Sequence, residues 1–197
     1  QWEQETLLFT PSTPQSNALR ITLAFPNTYS IGITNLGFQL IWAALAKRRD
    51  VDVRRLFTDQ SDIPHRNSDL FGFSLSWELD GPTLVDLLER NRIPVWSSQR
   101  SENDPLVFGG GPVLTANPEP FAPFLDVVLL GDGEELLPSL IKTISTTKEM
   151  TRENQLIRLS QMPGIYVPSL YKPKYDKNGR LLEIKPISNE IPKQIVK

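Results

Sequence analysis

The residues in this chain best placed to do chemistry stand in four turns, and none forms a strong acid–base or nucleophilic pair. The turns are Asn27-Thr28-Tyr29-Ser30-Ile31-Gly32, Ser74-Leu75-Ser76-Trp77-Glu78, Gly109-Gly110-Gly111-Pro112 and Gly131-Asp132-Gly133-Glu134-Glu135. They offer an amide, a phenol, hydroxyls, an indole and a set of glycines. Such groups hold a ligand by hydrogen bonding, stacking and close backbone approach rather than by attacking it. The 197 residues contain no cysteine, so disulfides, thiolate-held zinc, iron–sulfur ligation and a cysteine nucleophile are excluded within them. One histidine, His65, is too few for a histidine-built metal site and reads as a solvated loop residue. Glu78 and Asp80 lie close together without pairing as acid and base, and Glu102 and Asp104 read as solvated. The expectation is a binding module with no catalytic and no metal-ligating residue.

Each turn also has a purely local reading. Pro26 to Gly32 serves as a tight strand-to-helix turn in which Gly32 answers to backbone geometry, and this reading is preferred for Asn27 and Tyr29. Ser74 and Ser76 suit a ligand's polar groups and suit helix capping equally well. Trp77 suits a flat ligand or a neighbouring domain, although buried packing is the commoner fate of tryptophan. Gly109, Gly110 and Gly111 are the best candidates for ligand proximity, and Pro112 fits the first turn of the next helix. The spacing is not G-x-G-x-x-G, so no dinucleotide is implied. Acidic residues after Gly131 and Gly133 complement a helix dipole and disfavour phosphate there.

The elements that must position these turns are short apolar runs, each followed by a segment with helical character. The runs are Leu19 to Phe25, Leu70 to Leu75, Pro105 to Phe108 and Leu125 to Leu130, with Val51 to Leu56 as a further strand exposed on one side. Helices are expected over Asn35 to Arg49, Thr83 to Asn91 and Glu134 to Thr146. Alternating strands and helices mean βαβ units and a parallel sheet, because parallel strands need a crossover. The expected fold is α/β: a flavodoxin-like, Rossmann-like parallel sheet of five strands in a three-layer α/β/α sandwich. Ligands bind such sheets outside the carboxyl ends of the strands, where the four turns must lie.

The organisation expected is a lead-in over 1–17 that packs locally, the α/β domain over 18–147, and a small appendage over 148–197. The appendage begins with a helix, Arg152 to Gln161, closed by Pro163-Gly164. A β-hairpin follows, with Tyr166 to Tyr175 and Arg180 to Ile187 flanking Lys177-Asn178-Gly179. From Lys172 to Lys197 there are seven basic and three acidic residues, a local +4 within a chain of net charge −2. That hairpin reads either as a connector that docks on another surface or as a solvated edge guarded by lysines. The overall charge lacks the footprint of a stand-alone nucleic-acid binder. No apolar stretch is long enough to span a bilayer and no signal peptide is evident, so a cytoplasmic protein is expected. Gln1-Trp2-Glu3 and Ile195-Val196-Lys197 both read as cut ends of a longer chain.

Two stretches resemble a known family. Val107-Phe108-Gly109-Gly110-Gly111-Pro112-Val113-Leu114-Thr115-Ala116-Asn117-Pro118-Glu119-Pro120 and Asp126 to Glu135 resemble the cobalamin-binding-like amino-terminal domain of radical S-adenosylmethionine (SAM) enzymes. Phe25 to Gly32, Asn35-Leu36-Gly37 and Gly72 to Glu78 are similar to the same domain in an uncharacterised subgroup, and Gly164 to Ser169 with the hairpin is similar to its linker. The resemblance implies an accessory domain whose catalytic barrel, with its iron–sulfur cluster and SAM, lies beyond Lys197. The implied cofactor-facing residues are Asn27, Tyr29, Gly32, Ser74, Ser76, Trp77, Gly109, Gly110, Gly111, Gly131 and Gly133.

Within that family, histidine-ligated cobalamin requires D-x-H-x-x-G, where this chain has Asn27-Thr28-Tyr29-Ser30-Ile31-Gly32. A phenol does not replace imidazole as a nitrogen ligand, and the orienting carboxylate is gone. The resemblance therefore implies a degenerate module, with cobalamin bound without a protein ligand left open. Two other readings stay open beside it. One is presentation of RNA or another substrate to the barrel, as in RNA-methylthiolating relatives; the other is a ligand-free domain that packs against the barrel.

Overall fold

The computed structural model describes residues 5–59 and 67–196. His65 therefore lies outside the described residues. Eight strands and six α-helices are present among those described. The main sheet is built from β1 (Leu19–Ala24), β2 (Val51–Leu56), β3 (Leu70–Ser74), β4 (Leu106–Gly110), β5 (Val127–Leu129) and β6 (Ile165–Tyr166), in the order β2-β1-β3-β4-β5-β6. The first five are mutually parallel, with registers such as Ile21 opposite Leu70 and Phe71 opposite Val107. Their order is the doubly wound, flavodoxin-like one, which reverses direction between β1 and β3.

Side-chain alternation divides the core into two layers. Ile21, Leu23, Leu70, Phe108, Val127 and Leu129 face one side, where they meet α2 (Leu36–Ala46), α5 (Gly133–Thr146) and α6 (Arg152–Ser160). Ala24, Phe71, Phe73, Val107 and Val128 face the other, against α3 (Gly81–Arg90) and α4 (Pro112–Ala116). The three-layer sandwich follows from strands that are apolar on both faces. Helix α5 presents Leu137, Leu140, Ile141 and Ile144 to the core, a spacing that keeps one face inward. Asn35 caps α2 by accepting the Phe38 amide at 2.9 Å, and Thr151 caps α6 by accepting from Asn154.

The sheet has one strand more than the five expected. Ile165 and Tyr166 pair antiparallel with Leu129 and Val128, so Tyr166 belongs to the main sheet rather than to the hairpin. Gly164, at φ +71°, turns the chain back beside β5 after α6. An antiparallel return needs only such a turn, not a crossover helix. The hairpin itself is β7 (Tyr171–Tyr175) with β8 (Leu181–Pro186), a separate two-stranded sheet.

Candidate functional site

The carboxyl ends of β1, β3, β4 and β5 open into a cleft of about 1410 Å³ walled by α2 and α5. Three of the four turns meet there. Ser74, Ser76, Gly110, Gly111, Gly131 and Gly133 all line it, over a floor that includes Leu23, Phe73, Phe108 and Leu129. The switch point is stitched together locally: the Asn35 side-chain amide donates to Ser76 Oγ at 3.3 Å, and the Leu75 amide donates to the Gly110 carbonyl at 2.9 Å. The loops after β1, β3 and β4 thus share one rim.

The glycines divide by function once their surroundings are known. Gly110 lies half-buried, and a Cβ there would meet only Leu129, at an ordinary 3.6 Å. Gly111 has φ +115° and carries its α-carbon against the Leu75 carbonyl, so it is required by the backbone. Gly109 faces the opposite layer, where a Cβ would sit 2.6 Å from Leu114 and 2.8 Å from Leu125. Gly133 lets α5 approach Ile41 of α2, and Gly131 turns with φ +157°. Gly32 is needed for close approach, because a Cβ there would sit 2.2 Å from the Phe57 ring.

The polar residues divide likewise. Ser74 is half-buried, and its hydroxyl has no hydrogen-bond partner among the described residues. Asn27 serves its own turn: its side chain accepts the Thr28 amide at 2.8 Å and its carbonyl accepts from Thr58. Tyr29 begins the short helix α1 (Tyr29–Gly32) and does not line the cleft. Its hydroxyl donates instead to Glu5 at 2.6 Å, and its ring stands edge-on to Phe57. Burial, helped by the neighbouring Glu5 carboxylate, pushes the phenol above the ordinary tyrosine range. Trp77 projects into solvent at the rim, 58% exposed.

Several acidic residues fix turns and strands of the domain, and one of them, Asp80, does so beside the cleft. Asp80 is buried and accepts the Ser76 and Trp77 amides at 3.2 and 3.1 Å, clamping the turn after β3. Its burial raises the carboxyl despite those amides. Glu119, from Asn117-Pro118-Glu119, accepts the Tyr166 hydroxyl at 2.7 Å. Burial, then that hydrogen bond, drives the Tyr166 phenol strongly upward. At the far end of the sheet, Asp126 receives Arg100, Arg152 and the Val107 amide, all on one carboxylate oxygen. Glu102 accepts the Arg152 amide, so it is bound rather than solvated. A polar groove of about 650 Å³ at this amino edge is lined by such paired residues, among them Arg20 with Asp69.

In the basic hairpin Lys174 and Lys185 both pair with Glu183. Exposed apolar side chains stand on α1, on α2 and in the segment after β3: Ile31, Leu36, Leu40, Trp77 and Leu79.

A doubly wound sheet with a glycine-lined cleft at its switch point defines a flavodoxin-like α/β domain. The family model described as the N-terminal region of radical SAM proteins matches residues 38–168. The chain belongs to that family. It is 29% identical over 115 residues to an uncharacterized protein of Methanocaldococcus jannaschii, covering 58% of this chain and 24% of that one. Among solved structures it is similar in fold to the cobalamin-dependent S-adenosylmethionine radical enzyme OxsB with aqua-cobalamin bound. That match has a TM-score of 0.50 and 17% identity, and covers 91% of this chain and 24% of the other. The same enzyme with aqua-cobalamin and S-adenosylmethionine bound matches at a TM-score of 0.48. The chain spans about a quarter of the length of each of these proteins.

Proposed function

We propose that this domain is the accessory N-terminal module of a cytoplasmic radical SAM iron–sulfur enzyme, cobalamin-binding-like in form but without its own ligand to cobalt. The observation that carries this reading is the direction of Tyr29, whose hydroxyl is spent on Glu5 rather than turned to the cleft. The body of the cleft suits a cobalamin-type ligand. At Gly110 the backbone is free of any side chain of its own, and the Ser74 hydroxyl has no hydrogen-bond partner among the described residues. Ser74 and Ser76 would hold the ligand's polar edge, and Gly110 with Gly111 would admit it close to the backbone. Cobalamin, when bound, supplies methyl-group carriage at cobalt. Among the described residues that line the cleft there is no imidazole to ligate cobalt, and Asp132, Glu134 and Glu135 share the lining with the cationic Lys142 and Arg158.

The module positions rather than catalyses. The exposed apolar side chains on α1, α2 and the segment after β3 support packing against the catalytic barrel, which we place after Lys197 in the same polypeptide. Two experiments test the reading. After mixing with hydroxocobalamin and gel filtration, the 197-residue chain is expected to emerge without corrin absorbance; stoichiometric retention of the corrin overturns the degenerate assignment. A C-x-x-x-C-x-x-C run in the sequence that follows is expected, and its absence removes the radical SAM enzyme.

A further inference from the structure

Residues 5–17 form a strap along α2 that ends in a well-built carboxylate site. The strap starts at the C-terminal end of the helix, where the Gln15 amide donates to the Arg49 carbonyl and Ser12 donates to the Ala46 and Lys47 carbonyls. Midway, Phe9 packs edge-on to Trp42 at 5.4 Å, with the Lys47 ammonium over its ring. At the far end Glu5 accepts from Arg55 Nη2 on both oxygens, at 2.9 and 2.7 Å, and from Tyr29 at 2.6 Å. Arg55 is held independently of Glu5: its guanidinium lies 4.0 Å from the centroid of the Trp42 ring, and Nη1 donates to Gln39 at 3.0 Å. The side chains of Arg55 and Glu5 are 8% and 18% exposed.

A guanidinium fixed by an aromatic face and an amide is preorganised before any carboxylate arrives. We propose that Arg55 and Tyr29, with Gln39 behind them, constitute a carboxylate-binding site whose resting occupant is the strap's own Glu5, and that vacating it loosens the rim of the cleft. The path to the rim is short. Tyr29 opens α1, Gly32 closes it against Phe57, and Gln39 also donates to the Gly32 carbonyl at 3.3 Å. Asn35 then carries the connection to Ser76. The ligand class is a small carboxylate or a carboxylate-bearing group. Tethering gives Glu5 an effective concentration in the millimolar range, so a free competitor must match that.

The test uses the 197-residue chain, acetate as probe, and the variants Glu5→Ala and Glu5→Gln. Glu5→Ala is expected to melt roughly 5 °C below the parent. About 0.1 M acetate should restore most of that loss by mass action, whereas chloride at equal ionic strength should not. Glu5→Gln, whose amide still fills the site, should show little acetate response. Amide hydrogen exchange in Glu5→Ala is expected to quicken at residues 29–35 and 74–77 as well as in the strap. Equal effects of acetate and chloride, or faster exchange confined to residues 5–17, overturn the proposal and leave Glu5 a simple tether.

Discussion

Asp126 and Arg152 meet at 2.8 Å across the amino edge of the sheet, and this contact fastens the first turn of α6 to the start of β5. Arg100 reaches the same carboxylate oxygen from the other side at 2.9 Å, with its side chain fully buried and that of Asp126 2% exposed. Arg100 spends its other donors on the carbonyls of Pro94, Val95 and Phe124. Helix α6 is thereby fastened to the sheet.

Removing the shared acceptor strands two guanidinium groups, one of them wholly buried. Asp126→Ala is expected to cost about 3–5 kcal/mol of unfolding free energy, the usual penalty for orphaning a buried charge. Arg152→Ala should cost less, since its side chain is 11% exposed and keeps access to water. Urea unfolding followed by circular dichroism measures both, and an Asp126→Ala loss under about 1 kcal/mol would contradict the role assigned to the triad.

Asp80 makes a pH prediction of definite sign. Burial raises its carboxyl above the ordinary aspartate value in the folded chain. Just above that value the native state therefore binds more protons than the unfolded one, and this group's contribution to stability falls as pH rises through the folded pKa. Asp80→Asn retains an acceptor for the Ser76 and Trp77 amides but has no charge to desolvate. Relative to the parent, the variant should gain stability between acidic and neutral pH. Unfolding curves at several pH values decide it; a gap that stays constant or moves the other way would refute the claim.

Gly110 and Gly111 are adjacent yet should respond oppositely. Gly111→Ala forces a Cβ to within 2.4 Å of the Leu75 carbonyl oxygen at φ +115°. A loss of about 2–3 kcal/mol or more is expected, from strain plus backbone clash. Gly110→Ala meets only the Leu129 side chain at 3.6 Å and should stay within about 1 kcal/mol of the parent. Thermal melts of both variants provide the comparison, and similar losses at the two positions would remove the division of roles drawn between them.

Placing an imidazole at position 29 should not by itself create a cobalt ligand. In Tyr29→His the new ring starts from a position that faces Glu5 and Phe57, outside the cleft lining. The expected visible spectrum of added hydroxocobalamin is that of the free cofactor. A spectral change specific to Tyr29→His would mean that α1 turns readily toward the cleft.

Much of the fold was legible because its causes are local. The apolar runs and their spacing led to the parallel array, and the glycine turns did assemble at its carboxyl edge. The sixth strand was not legible, because Ile165 and Tyr166 are too short to stand out and gain strand character only by pairing with β5. Gly109 and Gly110 look alike in sequence, yet strand alternation sends one under Leu114 and the other toward the cleft. Asp80 reads in sequence only as unpaired with Glu78, whereas burial and the Ser76 and Trp77 amides make it the clamp of the turn after β3. The partners of Glu119 and Asp126 lie 47 and 26 residues away.

By itself, then, the sequence determined the layered α/β architecture and the edge where the glycine turns gather, and its lack of cysteine excludes thiolate chemistry within these residues. Periodicity, turn residues and composition act over a few positions, so they can be read along the chain. Only the tertiary structure decided where each polar group is spent. Tyr29 is turned away by Glu5, 24 residues earlier, and Asp126 is claimed by Arg152, 26 residues later. Hydrogen bonds and ion pairs of that reach exist only after the chain has closed on itself, because burial sets both their partners and their strength.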